Sequence, residues 1–168
     1  MVWIRTDSRG AIEVSRDPGE VRALLADIPG HARLMPGVDL LERRPGESPS
    51  GTEIYHYVLT TVTNGAVRMT PDYEVTFDRA DEGALRWEPH GVHNFRSGGV
   101  LRTSGGAAPG TSVVEIETWS EAQVDIAPVM VPLVEPFARR TSDDVTVGFL
   151  SAIKSAAEAR HAAEAPVR

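Results

Sequence analysis

The spacing of apolar residues predicts two short helices close to the start of the chain. After a first strand over Val2–Ser15, the pair Asp17-Pro18 supplies a capping acid and a first-turn proline. Apolar residues then recur at helical spacing, namely Val21, Leu24, Leu25 and Ile28. Pro29-Gly30 interrupts that run, and Pro36-Gly37 ends the next one. The segment Pro18–Arg44 is therefore predicted as two short helices followed by a strand.

The middle of the chain has the composition and alternation of antiparallel strands. Thr52–Thr63 is rich in aromatic and β-branched residues, and Asn64-Gly65 is a strong hairpin signal that joins it to residues 66–79. Three more strands are expected, one from Leu85, one over His93–Ser104 and one over Thr111–Val124. With the first strand and the strand that ends the Pro18–Arg44 segment, this gives about seven strands, mostly antiparallel because the connections are short.

The C-terminal part predicts one long amphipathic helix. Its apolar residues are spaced three or four apart: Leu133, Phe137, Thr141, Val145, Phe149, Ile153 and Ala156. Prolines crowd the entrance, so the helix is expected to begin between Pro132 and Pro136. Gly148 in mid-helix costs about 1 kcal/mol relative to alanine, which suggests a close approach to the sheet. Residues 1–160 are predicted to form one domain, with 161–168 as a frayed tail.

Composition narrows the functional classes. The chain has 168 residues, of which 41% are hydrophobic, and a formal net charge of -7. Without a basic block, a nucleic-acid partner or an anionic membrane surface is not expected. The absence of cysteine excludes disulfides, thiolate catalysis and cysteine-ligated metals. No signal peptide or membrane span of about 20 apolar residues is evident, so a cytoplasmic location is expected. The expected oligomeric state is a monomer or a homodimer.

Few residues suggest catalytic chemistry. His90 and His93 have a spacing that could contact a metal, but no third ligand lies nearby, and neither a metal site nor a cofactor is predicted. His93 alone is a candidate general base. Glu115 and Glu117 share one strand face, and simple alternation places them in solvent. If that face were interior, burial would raise the pKa of both carboxyls and make them acid–base candidates.

The order of elements and several short motifs resemble the START/Bet v 1-like superfamily, also called SRPBCC or helix-grip proteins. The V-x-x-L-L-x-D pattern of Val21–Asp27 and the M-P-G-V pattern of Met35–Val38 look like the opening of its bacterial members. Gly110-Thr111 and Val147–Glu158 also fit. The likeness covers nearly the whole chain and points to the polyketide cyclase/dehydrase and lipid-transport branch. It implies an α+β fold in which a curved antiparallel sheet grips the long helix around a cavity.

The same resemblance implies binding or transport of a small hydrophobic ligand, such as a lipid or polyketide, without a cofactor. The candidate contacts are large side chains of the strands and helices: Met35, Tyr55, Tyr57, Met69, Tyr73, Trp87, Phe95, Trp119 and Phe137. Packing in the core is the alternative role of these residues, since sequence does not say which strand face lines the cavity.

Two other functions stay open. One is a polyketide cyclase, aromatase or dehydratase, although the Trp/Ser/Arg cluster of aromatase/cyclases has no match here. The other is a protein-interaction module with a vestigial cavity.

Overall fold

Nine strands and three α-helices form the described part of the chain, which in this computed structural model comprises residues 1–44, 53–65, 67–81 and 83–164. In chain order the elements are β1 (Val2–Val14), α1 (Pro18–Ala26), α2 (Ile28–Ala32), β2 (Val38–Arg44), β3 (Ile54–Leu59), β4 (Val62–Asn64), β5 (Val67–Met69), β6 (Asp72–Asp81), β7 (Ala84–His90), β8 (Phe95–Gly105), β9 (Ser112–Val124), a 3₁₀ turn (Pro128–Met130) and α3 (Val131–Glu164).

Seven of the strands form one antiparallel sheet in the order β1-β9-β8-β7-β6-β3-β2. The first strand pairs with the last, from Val2 opposite Val124 to Val14 opposite Ser112. The chain then crosses to the far edge of the sheet, where β2 pairs with β3. Helices α1 and α2 make that crossing, and α3 packs against β1. The predicted α+β, helix-grip arrangement is confirmed.

Local sequence signals fix both short helices. The Asp17 carboxylate accepts a hydrogen bond from the backbone N–H of Gly19 at 2.8 Å, and Pro18 lies in the first turn of α1. Asp27 caps α2 in the same way through Gly30. The break between the helices therefore falls at Asp27, and Pro29-Gly30 belongs to the first turn of α2 rather than to the break.

The predicted long hairpin around Asn64-Gly65 is divided in two by the structure. Val62–Asn64 and Val67–Met69 form their own two-stranded sheet, separate from β3 and β6. Pro71 immediately precedes β6 and has no N–H to donate to a ladder, which explains why pairing stops there. Gly65 has a φ of +57°, as a tight hairpin turn requires.

Helix α3 begins earlier than expected, at Val131, and contains Pro136. Its first buried apolar residue is Val134, whereas Leu133 is 69% exposed, so the apolar face begins one residue later than the spacing indicated. A Cβ at Gly148 would lie 2.9 Å from Cγ of Pro36, in the turn after α2. Gly148 thus permits a close approach to that turn and not to the sheet.

The C-terminal end of α3 lies partly outside what can be described. The helix continues through residues 161–164, whereas residues 165–168 are outside the described part of the chain. The frayed tail predicted for residues 161–168 therefore stays a prediction. Fully buried Ile153 anchors the helix in a core that also contains Val14, Val21 and Val114.

Candidate functional site

A cavity of about 400 Å³ lies between the concave face of the sheet and α3. Its walls come from β1 and β3 to β9, from α2 and the turn that follows it, and from residues 134–149 of α3. The β4–β5 hairpin contributes Val62, Asn64, Val67 and Met69. This volume falls in the range of about 300–1,000 Å³ that is typical of small-molecule sites.

One wall of the cavity is aromatic. Tyr57 and Tyr73 are directly paired across β3 and β6, and their rings are stacked with centroids 5.3 Å apart. The ring of Phe95 on β8 lies 5.0 Å from that of Tyr73. The Trp87 indole lies over Gly99, which has no side chain: a Cβ there would approach the indole to 2.6 Å. The indole N–H donates to Ser97 Oγ at 3.1 Å.

Both cavity tyrosines are deeply buried, at 4% exposure for Tyr57 and 5% for Tyr73. Burial raises the pKa of each phenol well above its ordinary value, because the phenolate would lose its hydration. Each phenol therefore keeps its proton at neutral pH and can donate a hydrogen bond.

Other parts of the lining carry hydroxyl groups on β1, β9 and α3. Thr6 and Ser120 hydrogen-bond to each other at 2.9 Å. Thr118 donates to the carbonyl of Gly98 at 3.2 Å. The helix adds Thr141 and Ser142. The lining thus combines a large apolar area with neutral polar groups.

His31 on α2 is the one imidazole in the described lining. It is 3% exposed, and its Nδ1 lies 2.8 Å from the carbonyl oxygen of Leu25. Because a carbonyl only accepts, Nδ1 carries the proton in this contact. The ring packs edge-on against Phe77 and contacts Phe149. His31 therefore ties α2 to α1 and to the core while forming part of the wall.

No aspartate, glutamate, lysine or arginine side chain contributes to the described lining of the cavity. A carboxylate does join helix and sheet elsewhere, where Ser8 donates a hydrogen bond of 2.7 Å to Asp143, an exposed residue of α3. Apart from the imidazole of His31, a ligand inside the cavity meets only neutral groups of the described chain.

Seven of the nine predicted contact residues line the cavity: Met35, Tyr57, Met69, Tyr73, Trp87, Phe95 and Phe137. Tyr55 and Trp119 do not. Tyr55 shares the strand face of Tyr57 but packs beyond the cavity, edge-on to Phe77, with its hydroxyl donating to Glu53. Trp119 lies on the outer face of the sheet, over Gly98 and beneath the Arg5 guanidinium at 4.9 Å. Trp119 is on that face because its neighbours Thr118 and Ser120 on β9 both line the cavity, and it pairs with Asp7 of β1, whose side chain is also exposed.

The three candidate acid–base residues all lie outside the cavity. Glu115 and Glu117 are exposed, as simple alternation predicted, and Glu117 pairs with Arg102 at 3.1 Å. Their possible interior position is therefore wrong. His93 lies on the outer face, 3.7 Å from the Glu74 carboxylate and 6.5 Å from the ring of His56. It cannot reach a molecule held between the sheet and α3.

Within the described ranges, no group of three or more histidine, cysteine, aspartate or glutamate side chains is arranged to hold a metal ion. His90 is exposed at the end of β7 and pairs with Glu74 of β6. His90 therefore adds no metal-binding or acid–base group to the described lining of the cavity.

Sequence reasoning missed the hydroxyl residues of the lining and His31. A signal was present in the strand alternation, since Thr6 follows Ile4 on the buried face of β1. Thr118 and Ser120 likewise follow buried Ile116 on β9. Hydroxyls at positions expected to be apolar indicate a polar patch in the interior. For His31 no comparable pattern existed.

No protein-family model and no curated protein matches this sequence. Solved structures do match it. The protein TTHA0849 from Thermus thermophilus superposes with a TM-score of 0.70 at 16% identity, covering 95% of this chain and 99% of that one. The ZhuI aromatase/cyclase from Streptomyces sp. R1128 gives 0.68 at 15% identity, covering 97% and 99%. A START superfamily protein from Mycobacterium smegmatis gives 0.62 at 12% identity, covering 90% and 97%.

The protein has the START/Bet v 1-like fold. At these identities the likeness establishes the START fold, whereas the ligand and any reaction must be inferred from the residues of the site.

Among the described helices none is both long and apolar enough to span a bilayer.

Proposed function

We propose that this START-fold protein binds a small, uncharged, mainly apolar molecule in the cavity between the sheet and α3. The observation that carries the proposal is a volume of about 400 Å³ whose described lining has no acidic or basic side chain apart from His31. A charged group entering this interior would lose its hydration without gaining a counter-charge, which favours neutral ligands.

The contacts that we propose for the ligand are the seven predicted residues that line the cavity: Met35, Tyr57, Met69, Tyr73, Trp87, Phe95 and Phe137. The structural relatives support this choice of function at a coarse level, since they include a polyketide aromatase/cyclase and a START superfamily protein.

The two alternatives have less support. A cyclase, aromatase or dehydratase would need an acid–base pair at the substrate, and His93, Glu115 and Glu117 all lie outside the cavity. An interaction module with a vestigial cavity does not need a cavity of this size. A cytoplasmic location, a monomeric or dimeric state and the absence of a nucleic-acid partner remain predictions from sequence.

Two dyes with the same aromatic framework test the proposal. N-phenyl-1-naphthylamine is neutral, whereas 8-anilino-1-naphthalenesulfonate carries a sulfonate on the same ring system. We expect the neutral dye to bind at one site per chain with a rise in fluorescence, and the sulfonate to bind at least about tenfold more weakly because its charge has no partner in the lining. Equal or tighter binding of the sulfonate would contradict a site for neutral ligands.

A pair of substitutions on α3 tests whether the neutral dye binds in the cavity. Thr141 lines the cavity, whereas Val147 lies six positions further on and is 62% exposed. Thr141→Trp should fill part of the volume and abolish saturable binding of the neutral dye, and Val147→Trp should leave it unchanged. If both variants bind the dye as the original chain does, the dye occupies another surface and the proposed function fails.

A further inference from the structure

Tyr57 and Tyr73 form a pair of phenols with an uncommon environment. They occupy directly opposed positions on β3 and β6, so both side chains leave the same face of the sheet. Their ring planes differ by only 12°. Both residues are more than nine-tenths buried, and both line the cavity.

Neither phenol oxygen has a hydrogen-bond partner among the described residues, although neighbouring polar groups do. The Tyr55 hydroxyl donates to Glu53 and the Trp87 indole donates to Ser97. The one described side-chain atom that is fully enclosed without a partner is Ser112 Oγ, so the two phenol oxygens retain access to the cavity. Because the two phenol oxygens face the same cavity and have no partner among the described residues, a molecule bound in the cavity can supply that partner.

We propose that the hydroxyls of Tyr57 and Tyr73 together form the polar subsite of the cavity and hydrogen-bond the oxygen of an uncharged carbonyl compound. This inference rests on the proposed function and adds the chemical class of the ligand. A carbonyl oxygen has two lone pairs, so it can accept from both phenols at once. Because burial raises the pKa of both phenols, they stay protonated and act as donors.

The surroundings of the pair define the rest of the ligand. The Phe95 ring adjoins Tyr73 at 5.0 Å, and the Trp87 indole lies on the same wall. Flat rings of this kind pack well against a planar or cyclic apolar body. The described lining offers no carboxylate, guanidinium or ammonium group that would pair with a charged ligand. The class is thus a neutral cyclic ketone, lactone or similar carbonyl compound.

The test compares 1-tetralone with tetralin, which differ only by a carbonyl in place of a methylene. Affinities are measured by calorimetric titration for the original chain and for Tyr57→Phe, Tyr73→Phe and the double variant. We expect each substitution to weaken 1-tetralone binding by roughly 2- to 12-fold, the worth of one hydrogen bond. Tetralin binding should stay the same or tighten. Tyr55→Phe is the matched control, because its hydroxyl is engaged by Glu53 away from the cavity, and it should change neither affinity.

Infrared spectroscopy supplies a second readout. The carbonyl stretch of bound 1-tetralone should lie at lower frequency than in an alkane solvent, and it should return towards the alkane value in the double variant. If the double variant binds both probes as the original chain does and the stretch is unshifted, the phenols serve only for packing and the inference is overturned while the proposed function stands. If neither tetralin, 1-tetralone nor the neutral naphthylamine binds the original chain, the proposed function itself fails.

Discussion

The hydrogen bond from Trp87 to Ser97 holds the indole against the cavity wall and can be tested by removing its acceptor. The indole lies over Gly99, with its Nε1 3.1 Å from Ser97 Oγ. In Ser97→Ala the indole N–H loses that acceptor. A net hydrogen bond contributes about 0.5–1.5 kcal/mol, and a donor left fully unsatisfied costs about 1–3 kcal/mol. Since the site adjoins a cavity with room for water, we expect a loss of about 1 kcal/mol in the free energy of unfolding.

The assay is urea unfolding followed by far-ultraviolet circular dichroism, which does not depend on the tryptophan signal. A double-mutant cycle of Ser97→Ala with Trp87→Phe isolates the interaction, because phenylalanine keeps an aromatic ring but has no donor. The coupling energy should be about 1 kcal/mol. Ser104→Ala, at an exposed position on the same strand, is the control and should change stability by less than about 0.5 kcal/mol.

A coupling energy below about 0.3 kcal/mol would be within the usual error of additivity and would refute this reasoning. The same result would mean that packing over Gly99, and not the hydrogen bond, holds the indole against the sheet. A Ser104→Ala effect as large as that of Ser97→Ala would also contradict it, since the loss would then reflect a general response of the strand.

Two further predictions concern stability. Because burial raises the pKa of Tyr57 and Tyr73, the unfolded chain releases these protons from about pH 10 while the folded chain retains them. The free energy of unfolding should therefore be unaffected by the pair below that pH and fall above it, by up to about 1.4 kcal/mol per pH unit for each tyrosine. The free energy of unfolding, measured with urea between pH 8 and 11, should fall less steeply with pH in the Tyr57→Phe/Tyr73→Phe variant than in the original chain. An equally steep fall in both would exclude the two phenols as its cause. Fully buried Ile153→Ala should cost about 2–5 kcal/mol and exposed Val147→Ala less than about 0.5 kcal/mol, so similar losses in both would contradict the assigned face of α3.

Features that depend on neighbouring residues in the chain were predictable from sequence. Asp17-Pro18 begins α1 because an acidic cap and a first-turn proline act within one helical turn. Gly65 marks the hairpin turn for the same reason, since its positive φ is a local requirement. The exposed position of Glu115 and Glu117 followed from alternation along β9. Each of these signals spans only a few residues.

Features that depend on what covers a side chain were less predictable. Tyr55 and Tyr57 are two residues apart on one strand face, yet only Tyr57 lines the cavity, whereas Tyr55 packs edge-on against Phe77 and donates its hydroxyl to Glu53. Trp119 has the size and character of a cavity residue but lies on the outer face. The break between β3 and β4 likewise depends on where the hairpin leaves the main sheet.

The sequence by itself determined the order of the main helices and strands, the cap of α1 and the hairpin turn at Gly65, and, through resemblance, the kind of fold. The tertiary structure decided which side chains share the cavity and left its described lining without acidic side chains. The reason is physical: local signals set backbone conformation over a few residues, whereas burial is set by elements distant in the chain. Thr6 and Ser120 are far apart in the chain and hydrogen-bond only because the first strand pairs with the last.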